Sequence, residues 1–119
     1  MKIGVSLRTA YPPMDVRVGA RWVIDRARAA NAAGLDSLFV GDHHNVPVPY
    51  YQNVPMLGRL LAEWDERAAG ALFLLPLWHP VLVAEQIGTL ASIAGGAAAP
   101  IHTSSGCGGT GAMRARAIA

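Results

Sequence analysis

Apolar positions in this chain fall into two spacings, and the switch between them predicts where one element ends and the next begins. Lys2 to Leu7 reads as a short strand, and Pro12-Pro13 stops it and opens a loop. Asp15 then stands where a helix N-cap belongs. Val16, Ala20, Val23, Ala27 and Ala30 recur at spacings of four and three, which gathers them on one helical face. Arg21, Asp25, Arg26 and Arg28 fall mostly elsewhere, and Gly34 occupies the place of a left-handed C-terminal cap. Leu38-Phe39-Val40 is continuous rather than alternating, the pattern of a parallel strand covered on both faces.

The strand-helix pattern repeats twice more. Leu57, Leu60, Leu61 and Trp64 make a second helical stripe, with Glu63 and Arg67 spaced for an exposed i,i+4 pair. Ala71 to Leu75 is a third apolar run. His79-Pro80 puts proline in the first turn of a third helix, with Glu85 expected near its positive end and His79 a candidate cap. That helix is expected to bury Val83, Ile87, Leu90, Ala91 and Ala94 and to end at Gly95-Gly96. The alternation implies an α/β fold with a parallel sheet and right-handed crossovers. Such sheets bind ligands beyond the carboxyl ends of their strands, which places Asp42, His43 and His44 on the functional edge.

Composition narrows the function classes. With 52% hydrophobic and 15% charged residues, the chain needs a deep core or a partner. The net charge of +2 includes no Lys/Arg run, and beyond Arg67 only Arg114 and Arg116 are basic, which argues against nucleic acid. Cys107 is alone, so an internal disulfide framework is excluded and a reducing, cytoplasmic setting is expected. No targeting segment or membrane-length apolar run is present, so no membrane partner is expected.

Three chemistries compete for Asp42-His43-His44. A histidine at a strand end can simply hydrogen-bond its loop. A metal site would need both imidazoles on one side, whereas adjacent residues of an extended chain point oppositely. The third is a polar contact or proton donor to a bound cofactor, which needs one well-placed imidazole. Tyr50, Tyr51 and Trp78 are candidates to line a pocket for a flat ring or simply to pack.

The strand KIGVSL, the segment AANAAGLDSLFVGDHH and above all GALFLLPLWHPVLVAEQIGTLASIAGG resemble the luciferase-like flavin-dependent oxidoreductases, the family of bacterial luciferase and the coenzyme F420-dependent reductases. The resemblance covers residues 1–96 and implies the first three βα units of a (β/α)8 barrel. It implies a flavin, FMN or F420, at the carboxyl face, a small-molecule substrate, and either hydride transfer or oxygen activation. Within that resemblance His43 is the catalytic residue beside the flavin, and Asp42, His43, Ala71 and Leu72 are cofactor-binding. It also implies a non-proline cis peptide at Ala71-Leu72. The flavin phosphate site is implied to lie on later strands.

A barrel of this kind needs about 250 residues, and residues 97–119 depart from the family pattern. That tail is dominated by Ala, Gly, Ser, Thr and Arg, and it reads as disordered or weakly helical, with no buried strand. The coding sequence is expected to leave its frame just after Gly96; a genuine short paralogue is the rival, and translating the downstream nucleotides in other frames decides. Gly106 to Gly111 fits G-x-G-x-x-G, yet lacks the strand before and the acid after that make it a phosphate site. The expectation is a fragment inactive alone that exposes apolar surface and self-associates. The alternative is a noncatalytic, self-associating α/β binding module. An open doubly wound nucleotide-binding domain is disfavoured, because SLRTAYPP replaces the glycine-rich first turn.

Overall fold

The Asp15 carboxylate accepts hydrogen bonds from the backbone N–H groups of Arg17 and Val18, satisfying two donors that a helix start leaves open. The helix it caps, α1, runs Val16–Ala32, and Gly34 at φ 73° closes it in the left-handed conformation. The computed structural model describes residues 1–11, 13–64, 66–95 and 101–105. Within them the strands are β1 (Gly4–Leu7), β2 (Ser37–Val40), β3 (Ala68–Phe73) and β4 (Ile101–Ser105). The remaining helices are α2 (Asn53–Leu61) and α3 (Pro80–Ile93), with a 3-10 turn at Leu75–Leu77.

All pairings are parallel, and the spatial order β1-β2-β3-β4 follows the chain. α2 packs against both α1 and α3, so all three helices cover the same face. A doubly wound sheet reverses its strand order and puts helices on both faces; sequential strands with helices on one side form an arc of a (β/α)8 barrel. The core lies between sheet and helices, where Leu38, Leu57, Leu60 and Trp64 are wholly buried. Val23 and Ala27 meet it from α1, and Val83 and Leu90 from α3. Ile87 and Ala91 pack against its margin.

Four expectations change. β2 is covered on one face only: Leu38 and Val40 are buried under the helices, while Phe39 on the other face is half-buried. Glu63 does not pair with Arg67, because α2 ends at Leu61 and the helical spacing does not reach them. Instead Glu63 binds Arg28 at 2.8 Å and Arg59 at 2.7 Å. Arg67 donates to the carbonyls of Leu35 and Asn31 and lies over the Trp64 ring at 4.7 Å. The peptide joining Ala71 to Leu72 is trans, since no described bond is cis, and the β3 ladder runs unbroken through it to Phe73. α3 carries no acid in its first turn, and His79 occupies the cap position without a side-chain cap hydrogen bond.

The tail also differs where it is described. Residues 101–105 pair with Ala69–Phe73 as β4, and Ile101 is buried. An open parallel edge with a full set of backbone partners overrides the weak strand propensity of IHTSS. The glycine-rich stretch 106–111 lies outside the described residues.

Candidate functional site

Strand alternation sorts the residues at the carboxyl end of β2. Leu38 and Val40 point to the helices, and Asp42 continues that parity; Phe39 and Gly41 point to the open face, and His43 continues theirs. Asp42 is therefore buried, at 3% exposure, whereas His43 is exposed.

Asp42 is a clamp. Its Oδ2 accepts from the Leu74 backbone N–H at 2.9 Å and from the Trp78 indole N–H at 2.7 Å, fastening the end of β2 to the end of β3. Its Oδ1 lies 2.8 Å from His44 Nε2. The angles of that contact are poor for a hydrogen bond, and neither atom has another polar partner among the described residues. Trp78 is wedged edge-on against Phe73, at 5.3 Å between ring centroids, and against His44 at 6.1 Å. Trp78 thus packs and donates a hydrogen bond, and the carboxylate of Asp42 is spent on protein groups.

His43 sits differently. Its imidazole stacks on Tyr50, 4.0 Å between centroids and 13° from parallel. Gly41 lies at its Cε1 edge, where an added Cβ would stand 2.7 Å from His43 Cε1. Only the absence of a side chain at Gly41 admits the ring. Asn45, at φ 49°, turns the chain back toward β1, a conformation that asparagine tolerates.

The returning segment is tied down by a small antiparallel bridge. Ala10 pairs with Tyr50, the Tyr11 N–H donates to the Pro49 carbonyl at 3.0 Å, and the Tyr51 N–H donates to the Thr9 carbonyl at 3.1 Å. Tyr51 stacks on Tyr11 at 4.4 Å and donates its hydroxyl to the Val16 carbonyl. Burial holds the Tyr51 phenol above its ordinary pKa, and the charges on Tyr11 and Asp15 add to the effect.

Of the two β3 residues assigned to the cofactor, the structure separates the side chains. Ala71 is buried under the helices, and Leu72 is half-buried on the open face beside Gly41. Two contributors escaped the sequence reading. Thr9 and Asn53 are, with Asp42, the buried polar side chains among the described residues, and all three lie at this edge. Asn53 donates to the Leu72 carbonyl at 2.8 Å and accepts from the Val54 N–H, so it locks α2 to the end of β3. Its position at a helix start was a signal available in the sequence. Tyr50 was a candidate for ring contact, and its particular contact with His43 depends on a loop return that no local pattern encodes. Among the described residues, no group of three or more His, Cys, Asp or Glu converges as a metal site would require.

The edge thus presents one exposed imidazole on a fixed aromatic support, backed by a buried polar clamp. Comparison with known proteins agrees with this architecture. The family model described as luciferase-like monooxygenase matches residues 1–99. Among solved structures, the chain is similar to the oxygenating constituent of 3,6-diketocamphane monooxygenase from the CAM plasmid of Pseudomonas putida, a type II Baeyer-Villiger monooxygenase in complex with FMN. The TM-score is 0.72 at 22% identity, over 92% of this chain and 30% of that one, a likeness that speaks to the fold. The chain therefore spans less than a third of that protein's length. No curated protein matches the sequence.

Proposed function

This chain belongs to the luciferase-like monooxygenase family, and we propose that its carboxyl edge forms one wall of a flavin site in which His43 is the catalytic side chain. The observation that carries the reading is the parity of Phe39, Gly41 and His43, which puts an exposed imidazole at the ligand-binding edge of the sheet, on the open face. The residues present suit a flat, largely apolar ring. Leu72 offers apolar surface on the same face, Gly41 leaves room, and His43 offers a polar edge beside Tyr50.

A bound reduced flavin, FMN or F420, supplies hydride to a small-molecule substrate or electrons to oxygen. His43 hydrogen-bonds at the ring edge or moves a proton there, as an imidazole can do near neutral pH. Asp42, occupied by Leu74, Trp78 and His44, acts as the clamp that fixes the strand end from which His43 projects. The strands that would complete the barrel and hold the phosphate are not among the four here, so these residues are a wall of the site rather than a turnover-competent enzyme, in a cytoplasmic setting.

A fluorescence titration with FMN and with F420 tests this. Saturable quenching that His43→Ala weakens supports the wall; a flat titration with both flavins overturns it. Micromolar binding with turnover by a monomer would overturn the claim that the wall is inactive alone. A second reading, a noncatalytic self-associating module, draws on the sheet edges: among the described residues β1 and β4 each pair on one side only. Light scattering on a sizing column that finds a defined dimer, together with the flat titration, favours the module.

A further inference from the structure

We propose that Tyr50, with Gly41 at the Cε1 edge, is a positioning residue that sets the tilt of the His43 imidazole. The inference rests on the reading of His43 as the side chain that faces the flavin, and it adds the device that aims it.

The geometry is a slot with one wall and one closed end. One face of the imidazole lies on the Tyr50 ring, at 4.0 Å and 13°. The Cε1 edge meets the Gly41 backbone, where a Cβ would come within 2.7 Å of Cε1, 3.2 Å of Nδ1 and 3.8 Å of Nε2. His43 is nevertheless an exposed residue. One face is covered by Tyr50 and the Cε1 edge abuts Gly41, so the exposure falls on the rest of the ring. A histidine in an open loop would sample several rotamers and lose that freedom only on binding. Here the choice is made in advance, and pre-set orientation is what separates a productive contact from a nearby one.

The slot is only as stiff as its Tyr50 wall, and that wall is braced. Tyr50 is the bridge partner of Ala10, and its neighbours Pro49 and Tyr51 are bonded to Tyr11 and Thr9 at 3.0 and 3.1 Å. Thr9 is buried, and its hydroxyl donates to the Tyr51 carbonyl at 3.3 Å. The β1–α1 loop thereby holds the support for a residue that belongs to β2. Because the contact is ring to ring, the Tyr50 hydroxyl is not needed for it, and phenylalanine should serve equally.

The test uses the full 119-residue chain with isotope-labelled histidine; it has four histidines, so His43→Gln identifies the His43 ring signals. With no flavin present, the wild type and Tyr50→Phe should show His43 ring protons shifted upfield by the aromatic face, and Tyr50→Leu and Gly41→Ala should lose that shift. Flavin affinity should follow the same order, about tenfold weaker for Tyr50→Leu and unchanged for Tyr50→Phe. Tyr50→Phe serves as the folding control, with far-ultraviolet circular dichroism on each variant. An unshifted His43 in the wild type, or the same shift in Tyr50→Leu, overturns the slot. A lost shift with unchanged flavin affinity overturns the positioning role. Because the ring shift is read without flavin, a failed flavin titration bears on the proposed function and leaves the slot judged by its own result.

Discussion

The two faces of the sheet alternate residue by residue along the same four strands, yet they have opposite chemistry. Toward the helices stand Leu7, Leu38, Val40, Ala69, Ala71, Phe73 and Ile101, none more than 6% exposed, with Val5 and Thr103 half-buried on the same parity. Toward the open face stand Gly4, Ser6, Ser37, Phe39, Gly70, Leu72 and His102, of which only Gly70 is buried. The first parity is apolar wherever it is fully buried, because burial against α1, α2 and α3 favours apolar volume. The second is free of that demand, and it carries small, polar and aromatic residues beside Leu72. At the carboxyl edge the same alternation separates Asp42 from His43. One neighbour continues the structural face and the other continues the open one.

The sharpest way to break this comparison is to remove the two neighbours in turn. Asp42→Ala strands the Leu74 N–H and the Trp78 indole N–H without their acceptor, at about 1 kcal/mol or more for each of these part-buried groups. His43→Ala removes an exposed ring and should change stability by about 0.5 kcal/mol or less. Urea unfolding followed by tryptophan fluorescence measures both. Equal losses would show that the edge does not divide into a structural and an open residue.

A weaker effect is expected inside the sheet. Gly70 faces the open side, and a Cβ there would lie 2.5 Å from both the His102 carbonyl oxygen and the Phe39 ring. Neither backbone nor packed aromatic yields easily, so Gly70→Ala should cost about 1–3 kcal/mol, as overpacking does. Gly88 in α3 has nothing within 4 Å of an added Cβ, and Gly88→Ala should stabilise by about 0.5–1 kcal/mol through helix propensity. The contrast places tight packing on the open face as well as under the helices. If Gly70→Ala is neutral, the Phe39–His102 layer, 6.3 Å between ring centroids, is looser than the structure depicts.

These pairs also mark what could be read from the residues alone. Three strand-helix units, the Asp15 cap and the Gly34 and Gly95 termini followed from spacing and from rules that act within a few residues. The edge location of Asp42 and His43 followed from the parallel sheet. β4 was missed because its stability comes from the open edge of β3 rather than from its own composition. The Phe39 face was misjudged because a continuous apolar run says that both faces are apolar, not which one the helices cover. The Asp42 clamp and the His43–Tyr50 stack join segments whose approach depends on turns at Asn45 and Leu75–Leu77, beyond the reach of any periodicity.

The smallest effect concerns the outer side of the helix layer, and it asks whether charge adds to what burial already holds. Hydrogen bonds from Arg28 and then Arg59 hold the Glu63 carboxyl well below its ordinary value of 4.5, at about 2. The folded state thus favours the ionised form more than the unfolded chain does. Its contribution is present in full above the unfolded value, and it is lost as pH falls from about 4.5 toward about 2. Arg28 lies on α1 and Arg59 on α2, so Glu63 links neighbouring helices on a solvent-facing surface where screening keeps ion pairs weak. Glu63→Gln should therefore lower the melting temperature slightly at pH 7, with the difference closing as the pH approaches 2. Added salt should shrink the pH 7 difference, because the pair is screened while the apolar face is not. A difference that persists at low pH would assign the role of Glu63 to packing, and the helix layer would then rest on burial alone.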